Sequence, residues 1–151
     1  MKSLQTFLLL LVLLLVGSLS ANAATIVVPD DYTTIQAAVT AASGGDVILV
    51  KTGTYTENVN IPGGKNGLTI KNYTGHSPVL DGSSVGNPKV AFRVQSDNVT
   101  IEGFTIQNYN YTGATNVAFG QATRGVGIES LVASSQHTFK DNIITNCNWG
   151  I

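Results

Sequence analysis

Val99-Thr100-Ile101-Glu102 has a counterpart upstream in Leu68-Thr69-Ile70-Lys71 and another downstream in His137-Thr138-Phe139-Lys140. In chain order, the second column of this alignment is Thr, Thr, Thr; the third is Ile, Ile, Phe; and the fourth alternates in sign as Lys71, Glu102, Lys140. The last two segments continue in step, with Ile106 matching Ile144 and Asn108 matching Asn146. Repetition at intervals of tens of residues signals stacked structural units. The intervals are 31 and 38 residues. Both exceed a bare coil, so the turns carry insertions, one at 82–90 and one at 109–124. Strands of successive coils lie about 4.8 Å apart in a parallel sheet, with alternate residues pointing inward. The third column then fills a core, and the second and fourth face outward. Asn108 and Asn146 are placed to stack at a corner, where amides hydrogen-bond to the layers above and below.

The rest of the chain agrees. Runs such as Val47-Ile48-Leu49-Val50, Val59-Asn60-Ile61, Pro78-Val79-Leu80, Phe104-Thr105-Ile106 and Asn142-Ile143-Ile144 are three or four residues long. That is shorter than the usual strand and suits a chain that turns a corner after every few residues. A sandwich of antiparallel hairpins predicts Asn-Gly turns between strands. Asn66-Gly67 is one such signal, but it does not explain the columns. Ahead of the strands, Ile35, Ala38, Val39 and Ala42 form one apolar helical face. Thr33 to Gln36 fits a capping box, and Ser43-Gly44-Gly45-Asp46 ends the helix. The expected fold is all-β: a right-handed parallel β-helix, a solenoid, with a short capping helix at 33–42.

The N-terminus reads as an export signal over residues 1–23. Lys2 is followed by an apolar run from Phe7 to Val16 and an A-x-A cleavage site at Ala21-Asn22-Ala23. The run is shorter than the about 20 residues a membrane span needs, so a single-span anchor is the weaker reading. Residues 24–46 then hold the first strand and cap helix, and 47–151 hold the coils. Without Lys2, seven of the eight basic residues remain against nine acidic ones. That near-neutral balance gives no footprint for nucleic acid or for an anionic membrane surface. Cys147 is the only cysteine, so no intrachain disulfide forms. A secreted, periplasmic or cell-surface location is expected, with no membrane span after signal removal.

Residues 25–61, TIVVPDDYTTIQAAVTAASGGDVILVKTGTYTENVNI, resemble the opening of pectin-lyase-like superfamily proteins. That opening is shared by pectin methylesterases and several pectate lyases. NVTIEGFTIQN (98–108) and DNIITNCNWGI (141–151) are similar to their β-helix repeats and to those of copper-loading β-helix proteins. The resemblance implies that the helix covers the apolar end of the stack, and that any substrate lies in a groove along the outer face of the coils. It implies calcium on clustered carboxylates, with an Arg or Lys base, if the whole protein is a lyase; it implies paired Asp for an esterase or hydrolase. Such residues sit several coils into the stack. Trp149-Gly150-Ile151 reads as the start of a further strand, so the chain is expected to be a fragment; closure by dimerisation is the alternative.

The chemistry-bearing residues are sparse, and the catalytic residues are unknown. Asp81, before Gly82, reads as a turn residue more readily than as a groove carboxylate. Arg93, Asp97 and Glu102 form a loose charged group, with Glu102 expected to pair with Lys71 and Lys140 on a solvated face. Asp30 and Asp31 are expected to serve the helix N-terminus. No match to the paired Q-D segments of methylesterases is present; Gln121-Ala122 is not one. His76 and His137 are isolated, and copper loading has little support from one Cys, two His and no Met after the signal. No metal site is expected. Tyr109, Tyr111 and Trp149 have rings that stack on sugars, and Tyr109 and Tyr111 fall in the longest insertion. The substrate-binding candidates are therefore Tyr109, Tyr111, Arg93 and Glu102. Asn72-Tyr73-Thr74, Asn98-Val99-Thr100 and Asn110-Tyr111-Thr112 match the glycosylation sequon; an Asn/Thr-rich solenoid produces such triplets easily.

Two functions follow. One is a secreted β-helix that binds polysaccharide without a complete catalytic site. The other is the N-terminal part of a carbohydrate-active enzyme of the lyase, hydrolase or esterase type.

Overall fold

The computed structural model describes residues 22–110, 125–131 and 134–151. It is a parallel β-helix. β1 (Thr25–Val28) is followed by α1 (Ile35–Ala41) and then by eleven strands. The first coil holds β2 (Val47–Val50), β3 (Gly53–Tyr55) and β4 (Val59–Ile61). The second holds β5 (Thr69–Asn72), β6 (Pro78–Asp81) and β7 (Lys89–Val94). The third holds β8 (Thr100–Glu102), β9 (Thr105–Gln107) and β10 (Gly125–Ser130), and the fourth holds β11 (Thr138–Lys140) and β12 (Ile143–Thr145). Three parallel sheets result, in the orders β1-β2-β5-β8-β11, β3-β6-β9-β12 and β4-β7-β10. They are called sheets A, B and C below. No helix among the described residues is long and apolar enough to cross a membrane.

The register is the one the columns predict. Thr69, Thr100 and Thr138 are direct partners, as are Ile70, Ile101 and Phe139. The same columns extend two strands further, through Val47 and Ile48 to Thr25 and Ile26. Val47 and Thr69 are 22 residues apart, the coil length without insertions. Ile48, Ile70 and Ile101 are buried and belong to one continuous core with Leu80 and Ile106 of sheet B and Phe92 of sheet C.

The corners explain the remaining sequence signals. Gly45, Gly67, Asn98 and Gln136 each stand two residues before a column-two residue of sheet A, and all have positive φ. Gly and Asn tolerate that left-handed conformation at little cost. Asn66-Gly67 is thus a corner between sheets C and A, not a hairpin turn. The two-residue corners from A to B use Gly103 and Asp141 in the same conformation. A side chain at Gly103 would collide with the Asn72 carboxamide. Asn142 braces its corner by donating from Nδ2 to Ile101 O (2.9 Å) and accepting from Phe104 N (3.0 Å).

α1 covers the end of the stack with buried Ile35, Ala38 and Val39. The capping expectations need correcting. Thr34, not Thr33, is the N-cap, accepting from Ala37 N at 3.1 Å. Gln36 closes no box; it reaches across to the backbone of Asn60, accepting from its N–H at 2.6 Å and donating to its carbonyl at 3.2 Å. Asp30 pairs with Lys51 at 2.6 Å, and Asp31 accepts from Val27 N at 2.7 Å, so neither caps the helix. The coils themselves supply the caps. The Glu57 carboxylate accepts from Ile35 N (3.0 Å) and Gln36 N (2.8 Å). The Lys65 ammonium donates to Thr40 O (3.2 Å) and Ala42 O at the other end. Both charges have the sign that the helix dipole favours. Asp46 accepts from Ser43 N and Ala24 N, and these bonds hold its carboxyl below the usual range.

At the far end, Trp149 bridges Val126 in parallel, and Ile128 N donates to Gly150 O at 2.9 Å. This isolated bridge sets Trp149 beside sheet C, at the segment that the sequence reads as the start of a strand.

Candidate functional site

Both long insertions fall at one corner. The B-to-C connection takes residues 56–58 in the first coil, 82–88 in the second and 108–124 in the third. The first insertion is therefore two residues shorter than expected, because Lys89 and Val90 already belong to β7. The two lengthened corners follow one another in consecutive layers at one edge of sheet C, and residues 111–124 of the longer one lie outside the described residues. The corners from sheet A to sheet B take two to five residues.

The outer face of sheet C is polar. Asn60, Arg93 and Glu129 are register partners on β4, β7 and β10. Arg93 Nε donates to Glu129 Oε2 at 2.9 Å. The Glu129 side chain is only 10% exposed and that of Arg93 31%, so the guanidinium is the accessible member. A guanidinium has five N–H donors, and Glu129 takes one. Asn60 Oδ1 accepts from Gln95 Nε2 at 3.0 Å. A shallow open concavity of about 130 Å³ lies here, lined by Asn58, Val59, Asn60, Pro88, Val90 and Arg93. Asn58 shapes it by accepting from Val90 N (3.1 Å) and donating to Pro88 O (3.1 Å) and Gly86 O (3.3 Å). Alternation along β7 slips at this point: Ala91 and Phe92 both join the core, and Val90 turns to the concavity.

Around the corner, the predicted asparagine stack forms. Asn146 Nδ2 donates to Asn108 Oδ1 at 2.6 Å, and Asn108 Nδ2 donates to the Asp81 carboxylate at 3.2 Å. Asn110 extends the chain, donating to Asn146 Oδ1 at 2.9 Å. Asp81 is more than a turn residue, since it also accepts from Gln107 Nε2 (2.9 Å) and Ser83 N (2.8 Å). Those bonds, Gln107 first, bring its pKa down to about 2. A carboxyl depressed in the folded state contributes stability that is present above its unfolded pKa of about 4 and lost as pH falls through the folded value. The urea midpoint of the protein is expected to fall between pH 4 and pH 2, and that of Asp81→Asn to fall less over the same interval. Equal acid sensitivity of the two proteins contradicts this role.

Tyr109 requires a correction. Its side chain is fully buried, and its hydroxyl donates to Glu57 O two coils below. Burial pushes the phenol above its ordinary range. The ring packs where a side chain on Gly82 would have to stand, 2.8 Å from that position. It is a core post and offers no face to a sugar. Tyr111 and Gln121 lie outside the described residues.

The loose charged group is also not one group. Arg93 is on sheet C. Glu102 is on sheet A, where it pairs with Lys140 at 3.2 Å and faces Lys71 in register. Asp97 sits at the corner between them and accepts from Ser135 N at 2.8 Å. His76, at the corner between β5 and β6, accepts from Thr52 N at 3.0 Å and meets the Tyr73 ring edge-on. His137 stacks on Phe139 and accepts from Val99 N at 3.4 Å. Among the described residues, no three His, Cys, Asp or Glu side chains are placed to hold a metal ion. Asn58, Asn60 and Glu129 escaped notice in the sequence. The alternation Asn58-Val59-Asn60-Ile61 could have flagged the first two; Glu129 becomes visible only through its register with Arg93.

One solved structure with this fold is a pectin methylesterase variant crystallised in complex with a hexasaccharide. The likeness has a TM-score of 0.55 at 17% identity and covers 82% of this chain. The chain spans 43% of that protein. The likeness supports the parallel β-helix fold that the resemblance of residues 25–61 implies. No protein-family profile and no curated protein sequence matches the chain.

Proposed function

We propose that the protein is exported and binds polysaccharide along the outer face of sheet C, with no complete catalytic site in this chain. The observation that carries this reading is the Asn60–Arg93–Glu129 row beside the open concavity lined by Asn58, Pro88 and Arg93. Amide and guanidinium donors at regular interstrand spacing suit a ligand that repeats hydroxyl or carboxylate groups along its length. The hexasaccharide complex of the pectin methylesterase supports a glycan as that ligand. Arg93 is the strongest contributor, as the accessible charged donor; Glu102 faces away on sheet A and takes no part.

Affinity electrophoresis in gels cast with polygalacturonate, pectin or a neutral xylan tests this. Retardation is expected in at least one gel, and Arg93→Ala is expected to weaken it about ten- to a hundredfold, the loss of one charged hydrogen bond worth about 1.5–3 kcal/mol. Lys71→Ala on sheet A is expected to leave it unchanged. Absence of retardation, or equal retardation of Arg93→Ala, contradicts the proposal.

A second reading, the N-terminal part of a carbohydrate-active enzyme of the lyase, hydrolase or esterase type, draws support from the same likeness. Calcium belongs to its lyase form. Release of unsaturated uronate or of methanol from pectin by this chain, with or without calcium, would favour it over binding alone.

A further inference from the structure

We infer that Asn98 is the N-glycan acceptor of this chain in a eukaryotic secretory pathway, and that Asn72 and Asn110 are not. The inference rests on the export proposed above. Three sequons are present, and the fold treats their asparagines differently.

Asn72 has spent its amide. Nδ2 donates to His76 O at 2.9 Å, and the carboxamide fills the space beside Gly103 that a side chain there would need. A sugar on Nδ2 would have to break the turn at 73–77. Asn110 donates from Nδ2 to Asn146 Oδ1 at 2.9 Å, as the last link of the amide chain that begins at Asp81. Substitution there removes that link.

Asn98 is different. It is exposed, at the corner between β7 and β8, with φ 56°. Its fold equivalents one and two coils below are Gly67 and Gly45. A side chain built on Gly45 meets nothing within 4 Å, and one on Gly67 makes only ordinary contact at 3.6 Å. The column therefore points its side chains to open solvent. Only the backbone of Asn98 is engaged, its N–H donating to Ser135 O at 2.9 Å. Thr100, the sequon hydroxyl, stands on the outer face of sheet A. The corner joins sheet C to sheet A, at the edge of sheet C away from the B-to-C corner.

In the transfer, Asn98 Nδ2 attacks the anomeric carbon of a lipid-linked oligosaccharide. An N–C bond forms, the C–O bond to the lipid pyrophosphate breaks, and the amide proton passes to the transferase's base.

The full chain would be expressed in a yeast secretory host in parallel behind its own leader and behind a host leader. The secreted product is expected to carry a single glycan removable by N-glycosidase and mapped to Asn98 by peptide mass. Asn98→Gln and Thr100→Ala are expected to abolish it, and Thr100→Ser to retain it. Failure of export with its own leader alone overturns the export reading and leaves the host-leader product to decide the site. A secreted product bare at Asn98, or one glycosylated at Asn72 or Asn110, overturns the inference.

Discussion

Ile70→Ala is expected to lower the unfolding free energy by about 2–5 kcal/mol, the cost of emptying a buried aliphatic site. Thr69→Ala, one residue away, is expected to cost about 0.5 kcal/mol or less, as for an outer-face substitution away from caps and buried bonds. The contrast follows from the pleat. Ile70 is fully buried, with Ile48 below it and Ile101 above. Thr69 sits on the outer face between Val47 and Thr100. Because the side-chain period of a strand is two, any one-residue slip in register would exchange the two effects. Urea unfolding of the two variants measures this directly. A larger loss from Thr69→Ala than from Ile70→Ala contradicts the register.

Tyr109→Ala should cost about 3–5 kcal/mol, as for large aromatic truncations in a core. Here the ring joins three layers: its own coil, Gly82 below it and the Glu57 carbonyl below that. Tyr109→Phe keeps the packing and loses the hydroxyl, so it is expected to cost about 1–3 kcal/mol for the carbonyl left without its donor. Polysaccharide retardation by Tyr109→Phe is expected to match the parent, because the hydroxyl faces Glu57 and not solvent. If Tyr109→Ala proves as stable as the parent but loses retardation, the ring is a ligand platform and the structural assignment given to it is wrong.

The columns were readable in the sequence because the core repeats its chemistry. Ile70, Ile101 and Phe139 must fill one interior, and Thr69, Thr100 and Thr138 share one outer face. The first coils hid the same pattern because Val47 replaces Thr and because their 22-residue spacing carries no insertion to mark it. The helix was readable from its apolar face, but its caps were not. Thr33 and Gln36 satisfied a local rule, yet the actual cap charges, Glu57 and Lys65, come from residues about twenty positions away. Tyr109 was misjudged for a related reason. Its place in an insertion suggested a surface loop, and nothing local announces that the glycine at position 82 opens a slot for its ring. Arg93 was identified as a candidate, but its partner was not, since 36 residues separate it from Glu129.

Parallel stacking in this register is the premise of every assignment above, and paired cysteines test it. In a Cys147→Ser background, Thr69→Cys with Thr100→Cys places two thiols on directly paired residues. Parallel neighbours about 4.8 Å apart fall within the Cα separation a disulfide spans. If the strands ran antiparallel about the Ile70–Ile101 pair, Thr69 would face Glu102 instead. Rapid disulfide formation in the Thr69→Cys/Thr100→Cys protein, and little in Thr69→Cys/Glu102→Cys, is the result predicted; the reverse pattern would contradict the β-helix.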